Sequence, residues 1–151
     1  FVNRFAALAK AVPFAIPVVS GKTKFQPVYV RDVAQAVVAA LSPERAGKTF
    51  DLGGPRVISM RELVTWIAAE IWSNKPVVEV PDAAAAAMAK FGGWLPAAPI
   101  TWDQWLMLQR DNVVADGAAG LADLGIEATP LEAIAPGYLV RYGKHGRFSK
   151  R

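Results

Sequence analysis

Gln26-Pro27-Val28-Tyr29-Val30-Arg31-Asp32-Val33-Ala34 decides how the rest of this chain is read. Val28, Tyr29 and Val30 are residue types that suit a pleated strand, and residues 35–41 continue as an apolar run at helical spacing. An extended segment therefore passes straight into a helix, with Asp32 at its mouth. Residues 1–11 already read as a helix entered midway. The pattern is that of the closing part of an α/β fold, and the chain is expected to be a fragment of a longer one.

Composition sets bounds around that reading. At 151 residues and 53% hydrophobic, the chain can bury a substantial core, or form the last portion of a domain about twice its length. Cysteine is absent, which excludes a disulfide scaffold, a thiolate zinc site and a cysteine nucleophile. No uninterrupted apolar run reaches the ~18 residues of a membrane span, and Phe1-Val2-Asn3-Arg4 has no signal-peptide character. The net charge of +4 is uneven: Arg141, Lys144, Arg147, Lys150 and Arg151 lie at the end of the chain, leaving 12 basic against 13 acidic residues elsewhere.

Three pairs have the spacing of a capping box, in which a hydroxyl and a Glu or Gln three residues on satisfy the free amides of a helix start. They are Ser59/Glu62, Thr101/Gln104 and Thr129/Glu132. The first predicts a helix over 60–72 with Leu63, Trp66, Ile67 and Ile71 on one face; the second predicts one over 102–110. The third puts Pro130 at the first helical position, and Pro136-Gly137 should then end or kink that helix. Residues 82–91 form an alanine-rich helix with Asp82 as cap and Gly92-Gly93 as its end.

Strands are expected over 25–30, 48–52 and 77–80, each short, branched or aromatic, and bounded by Gly or Pro. Strands alternating with helices mean α/β architecture, and three strands are too few to stand without neighbours. Trp94-Leu95-Pro96-Ala97-Ala98-Pro99 reads as an extended apolar connector, and residues from Lys144 onward as a disordered basic tail.

Little in the chain has the form of a reaction centre. His145, the single histidine, sits between glycines in the tail with no orienting partner. No cluster has metal-ligand spacing, and Gly-x-Ser-x-Gly is absent. Gly53-Gly54-Pro55 follows a strand as a phosphate loop would, yet the Gly-x-Gly-x-x-Gly spacing is missing and Pro55 removes an amide, so a tight turn is expected. Asp32 has two compatible readings. It caps its own helix, or it joins Lys24, Gln26 and Tyr29 at the carboxyl end of a strand, where open α/β sheets form ligand crevices.

Taken together, Gly21-Lys22-Thr23-Lys24-Phe25-Gln26-Pro27-Val28-Tyr29-Val30-Arg31-Asp32-Val33-Ala34, then Gly47-Lys48-Thr49-Phe50-Asp51-Leu52-Gly53-Gly54-Pro55 and the helix with Glu62-Leu63, resemble the downstream half of extended or atypical short-chain dehydrogenases. Pro99-Ile100-Thr101-Trp102-Asp103-Gln104 and residues 120–132 are similar to a narrower group, the NAD(P)-binding accessory subunit of respiratory complex I (NADH:ubiquinone oxidoreductase) and its bacterial relatives.

The resemblance implies the downstream half of a Rossmann-type NAD(P)-binding fold with a small, mostly helical substrate-side lobe, residues 1–143 forming that portion and 144–151 the tail. It also implies NADP or NAD held by an upstream half. Neither the glycine-rich loop nor Tyr-x-x-x-Lys is in this chain, so by itself it should not bind cofactor tightly or transfer hydride. Asn3 and Arg4 would border the cofactor and substrate cleft, and Lys24, Gln26, Tyr29 and Asp32 would line or support its far wall. Lys24 stands where sugar-nucleotide epimerases more usually carry Arg, which loses bidentate phosphate geometry.

Three functions compete on this footing. The first is a structural or assembly role in complex I, with complex I subunits, the upstream half and an anionic membrane surface as partners, in the cytoplasm or peripheral on the inner face of the respiratory membrane. The second is an active epimerase, dehydratase or reductase acting on a sugar nucleotide or an alcohol or ketone. The third is an independent basic module for nucleic acid or membrane; against nucleic acid, the cations are confined to a short tail with no recognition motif. Trp94, Trp102, Trp105, Leu106 and Met107 read as lobe packing or, alternatively, as a docking face.

Overall fold

The computed structural model describes residues 2–92 and 100–143. In chain order its elements are α1 (Val2–Ala11), β1 (Ile16–Val19), β2 (Lys24–Phe25), α2 (Val30–Ala40), β3 (Ile58–Ser59), α3 (Met60–Glu70), β4 (Val77–Val80), α4 (Asp82–Gly92), α5 (Trp102–Met107) and α6 (Leu131–Leu139). Short 3₁₀ turns lie at Pro43–Arg45, Ala122–Leu124 and Val140–Tyr142. The result is a mixed α/β structure with a small parallel sheet.

That sheet pairs β1 with β4 in parallel, from Ile16 opposite Val77 to Val19 opposite Val80. The Ile16 amide donates to the Pro76 carbonyl at 2.9 Å. Alternate amides of a strand point to opposite sides, so Pro17 places its missing donor on the edge away from β4, where no ladder bond is lost. Ile16 and Val18 face inward and Pro17 outward. The second ladder is antiparallel, with Lys24 opposite Ser59 and Phe25 opposite Ile58.

α3 is the centre of the larger core. Its start is the expected capping box: the Glu62 amide donates to Ser59 Oγ and the Ser59 amide to the Glu62 carboxylate. Leu63, Val64, Ile67, Ala68 and Ile71 then line one side, packed with Ala6 and Ala9 of α1, Ile16 and Val18 of β1, and Ala135 and Leu139 of α6. The alanines at i and i+3 of α1 let its backbone approach α3 closely. A second, smaller core joins Ala36 of α2 to Leu121 and Leu124, flanked by Val28, Phe50, Leu52 and Ile126.

Several expectations change on folding. The strand over 25–30 shrinks to β2, because Pro27 cannot donate and α2 begins at Val30. Residues 48–52 form no ladder; the Asp51 amide is taken by the Ala119 carbonyl instead. α5 carries its expected Thr101/Gln104 box but stops at Met107. The Thr129/Glu132 box does not form, and Pro130 is the cap residue, outside the first turn. α6 also continues through Pro136 before tightening into the Val140–Tyr142 turn, since Ala135 and Leu139 are anchored in the core and a single missing donor is outweighed. The Trp94–Pro99 connector, His145 and the basic tail lie outside the described residues.

Candidate functional site

Asp32 sits in the first turn of α2 and is only 4% exposed. It does not cap its own helix. Its two oxygens accept from residue 129, the Thr129 amide at 2.7 Å and the Thr129 hydroxyl at 2.9 Å. A carboxylate that receives both donors of one residue is a strong fastener, and here it joins the start of α2 to the chain entering α6, 97 positions away. This bond also explains the lost capping box: Thr129 gives its hydroxyl to Asp32, and Glu132 turns outward to Arg56 at 3.0 Å.

Gln26 is a second fastener. Its Nε2 donates to the Gly54 carbonyl at 2.8 Å, and its Oε1 accepts from the Val114 amide at 2.9 Å. Its backbone amide donates to the Asn112 carbonyl at 3.1 Å. One half-buried side chain thus holds the glycine turn against the segment after α5. Lys24 contributes through its backbone, whose amide donates to Asp111 and whose carbonyl accepts from Asn112, each at 2.8 Å. Thr23, nearly buried, donates its hydroxyl to the Leu108 carbonyl. Sequence spacing gives no sign of Asp111, Asn112, Val114 or Thr129 as partners, because all are more than 85 positions from the groups they meet.

The glycine pair is committed to packing. A Cβ on Gly54 would overlap the Pro27 carbonyl oxygen, and one on Gly53 would collide with Gln26 and Val114. The Gly54 amide is directed to the Gln26 carbonyl at 3.4 Å. A dinucleotide phosphate therefore does not fit this turn as a ligand.

Tyr29 is half-buried at the entrance of α2, where its carbonyl accepts the Val33 amide. Arg4 is exposed on α1, and beside it the Oδ1 of Asn3 is buried without a donor among the described residues. The six candidates thus divide into two sets. Asn3 and Arg4 lie on a helix of the larger core, whereas Lys24, Gln26, Tyr29 and Asp32 lie on the segment leading to the smaller one. α6, which packs on α1 and is entered through the Thr129 bond to Asp32, adjoins both.

No protein-family model matches the chain. Among curated proteins it is 35% identical, over 96% of its length, to NADH dehydrogenase (ubiquinone) 1 alpha subcomplex subunit 9, mitochondrial, of Arabidopsis thaliana. The counterpart from Mus musculus is 34% identical over 87% of the chain, and the NADH-ubiquinone oxidoreductase 40 kDa subunit of Neurospora crassa 29% over 79%. The chain spans 39%, 36% and 32% of these relatives' lengths. The resemblance to the complex I accessory subunit is thereby borne out: the chain is homologous to this family of NADH:ubiquinone oxidoreductase subunits over nearly its whole length.

Proposed function

We propose that the protein is an accessory subunit of respiratory complex I with a structural role, and that an upstream Rossmann half holds NADP or NAD against the segment described above. The observation that carries this is the 35% identity with the Arabidopsis subunit, spread over 96% of the chain and not confined to one motif. The chemistry of the site supports the structural role. Asp32, Gln26 and Thr23 each use their side chains to bond a segment distant in the chain.

Its place, on this reading, is peripheral, at the inner face of the respiratory membrane. The relatives are mitochondrial proteins, and no helix among the described residues is long and apolar enough to cross a membrane. α4 and α5 expose Met88, Phe91, Trp102, Leu106 and Met107, with Trp102 stacked on Trp105 at 4.8 Å. The five terminal cations would add attraction to anionic lipid or to an acidic neighbouring subunit.

Deleting the gene tests the role. Loss of assembled, rotenone-sensitive NADH:ubiquinone oxidoreductase is expected, with full restoration by a copy in which any upstream Tyr-x-x-x-Lys tyrosine is changed to Phe. Normal assembly in the deletion strain would refute the structural reading, and failure of the Phe copy alone would assign the protein to the active enzymes.

A further inference from the structure

β1 and β4 run parallel, so their amino ends lie on one side of the small sheet, and the loops that lead into them, residues 12–15 and 71–76, meet there. Lys75 ties the two together. Its ammonium donates to the carbonyls of Ala9 and Lys10, at 2.9 and 3.3 Å, closing the last turn of α1 beside the first loop. The carboxyl ends of the strands are occupied differently: α4 leaves from β4, and Gln109, just after α5, donates to the Ser20 hydroxyl at 3.2 Å. The amino end is a surface apart from them.

Each loop presents an aromatic ring to solvent. Phe14 is 85% exposed, more than any other large apolar side chain among the described residues. Trp72 is 48% exposed and stands where a helix end commonly carries glycine. The Ser73 amide donates to the Ala68 carbonyl and the Trp72 amide to that of Ala69, the Schellman pattern that closes α3, with Trp72 in its left-handed position at φ +56°. A side chain there crowds the carbonyl that follows, and a ring half in water gains little burial to offset the strain. Strain without compensating burial is characteristic of residues placed for a contact outside their own fold.

Charge completes the surface. The Trp72 ring lies 3.8 Å from the Cβ position of Gly143, so the end of the described chain adjoins it. Arg141, over the Tyr142 ring at 4.9 Å and bonded to its hydroxyl at 3.0 Å, is exposed just before that point. Lys144, Arg147, Lys150 and Arg151 follow in the sequence with no acid among them, and Lys10 is exposed at the end of α1. The two loops and the helix ends beside them carry a single carboxylate, Glu70, half-buried in the last turn of α3.

We propose that this end of the sheet is the protein's lipid contact: Phe14 and Trp72 enter the headgroup layer of an anionic bilayer, and Lys10, Arg141 and the terminal cations lie against its phosphates. This rests on the peripheral placement above and names the surface that makes it. The two rings project from separate loops, a shape that a fluid interface accepts at any spacing, whereas a folded partner would need a pocket for each. Aromatic rings beside cations are also the composition that such an interface favours.

The intact protein, isolated free of other subunits, is floated with vesicles of phosphatidylcholine containing phosphatidylglycerol, and with vesicles of phosphatidylcholine alone. It should bind the first and not the second. Phe14→Ser and Trp72→Gly should each weaken that binding by about tenfold, the scale set by withdrawing one aromatic ring from an apolar layer. Trp72→Gly separates contact from structure, because glycine relieves the left-handed strain: the urea midpoint should hold or rise while vesicle binding falls. Unchanged binding in either variant overturns the proposal. If Trp72→Gly unfolds more readily than wild type, Phe14→Ser decides alone by the same criterion. A wild-type protein that leaves the anionic vesicles unbound overturns the proposal too, and its binding of poly-glutamate in their place would assign the surface to an acidic segment of another protein. Vesicle binding lost by these variants in a protein that never joins complex I would sink the proposed role and leave this inference standing; unchanged binding in a genuine complex I subunit would do the reverse.

Discussion

Asp32→Ala should be the costliest polar substitution in α2. The carboxylate takes two bonds, at 2.7 and 2.9 Å, from a residue that has no other described partner for those donors, and it is 4% exposed. A hydrogen bond to a charged group contributes roughly 1.5–3 kcal/mol, and the two bonds share one acceptor group, so their loss is not additive; about 3 kcal/mol is expected. At this chain length that is a fall of roughly 6–12 °C in Tm. Asp32→Asn keeps an acceptor for the amide and offers a donor to the hydroxyl, and should cost about 1–2 kcal/mol. Thr129→Val removes the hydroxyl bond alone. Urea unfolding of wild type, both single variants and the Asp32→Ala/Thr129→Val pair forms a cycle whose coupling should be about 1 kcal/mol. Additivity within about 0.3 kcal/mol would show that the bond does not form in solution and would refute the reasoning.

Two glycines should respond in opposite senses. Gly54→Ala drives a Cβ into the Pro27 carbonyl and should cost about 3 kcal/mol or more, whereas Gly137→Ala, with nothing within 4 Å in the interior of α6, should stabilise by about 0.5–1 kcal/mol in the same urea assay. Ser59→Ala should lose about 1 kcal/mol with its cap. The Ser59 amide, its hydroxyl next, holds the Glu62 carboxyl below its ordinary value of 4.5. Stability from that group is therefore present above pH 4.5 and is lost as pH falls through the lower folded value. Glu62→Gln should keep the box and flatten the acid limb of a Tm-against-pH curve; an unchanged slope would contradict the assignment. If the basic terminus adds to membrane attachment, removing residues 144–151 should weaken binding to anionic vesicles and reduce its salt dependence, with neutral vesicles unaffected.

Local signals survived folding where the chain supplied both partners. Ser59 and Glu62, and Thr101 and Gln104, lie three residues apart and cap α3 and α5 as expected. The strand over 77–80 and the helix from Asp82 were equally legible. What the sequence hid depends on distance. Thr129 has the spacing of a cap, yet Asp32 claims its hydroxyl from 97 positions away, and a bond of that span leaves no periodic trace. β1 carries no strand signal because Pro17 interrupts its run, and only the pairing with β4 shows that the missing donor faces outward. Residues 48–52 read as a strand but need a neighbour that the described residues do not supply. For the site, Asp32 and Gln26 were recognisable as important, but their use in fastening Thr129, Gly54 and Val114 required the fold.

The most direct measurement is native electrophoresis of solubilised respiratory membranes, with every gel slice examined by mass spectrometry. Peptides of this chain are predicted to peak in the slice that contains the other complex I subunits and to leave it when complex I is dissociated. Peptides confined to low-mass fractions, with complex I intact in the same membranes, would contradict the account.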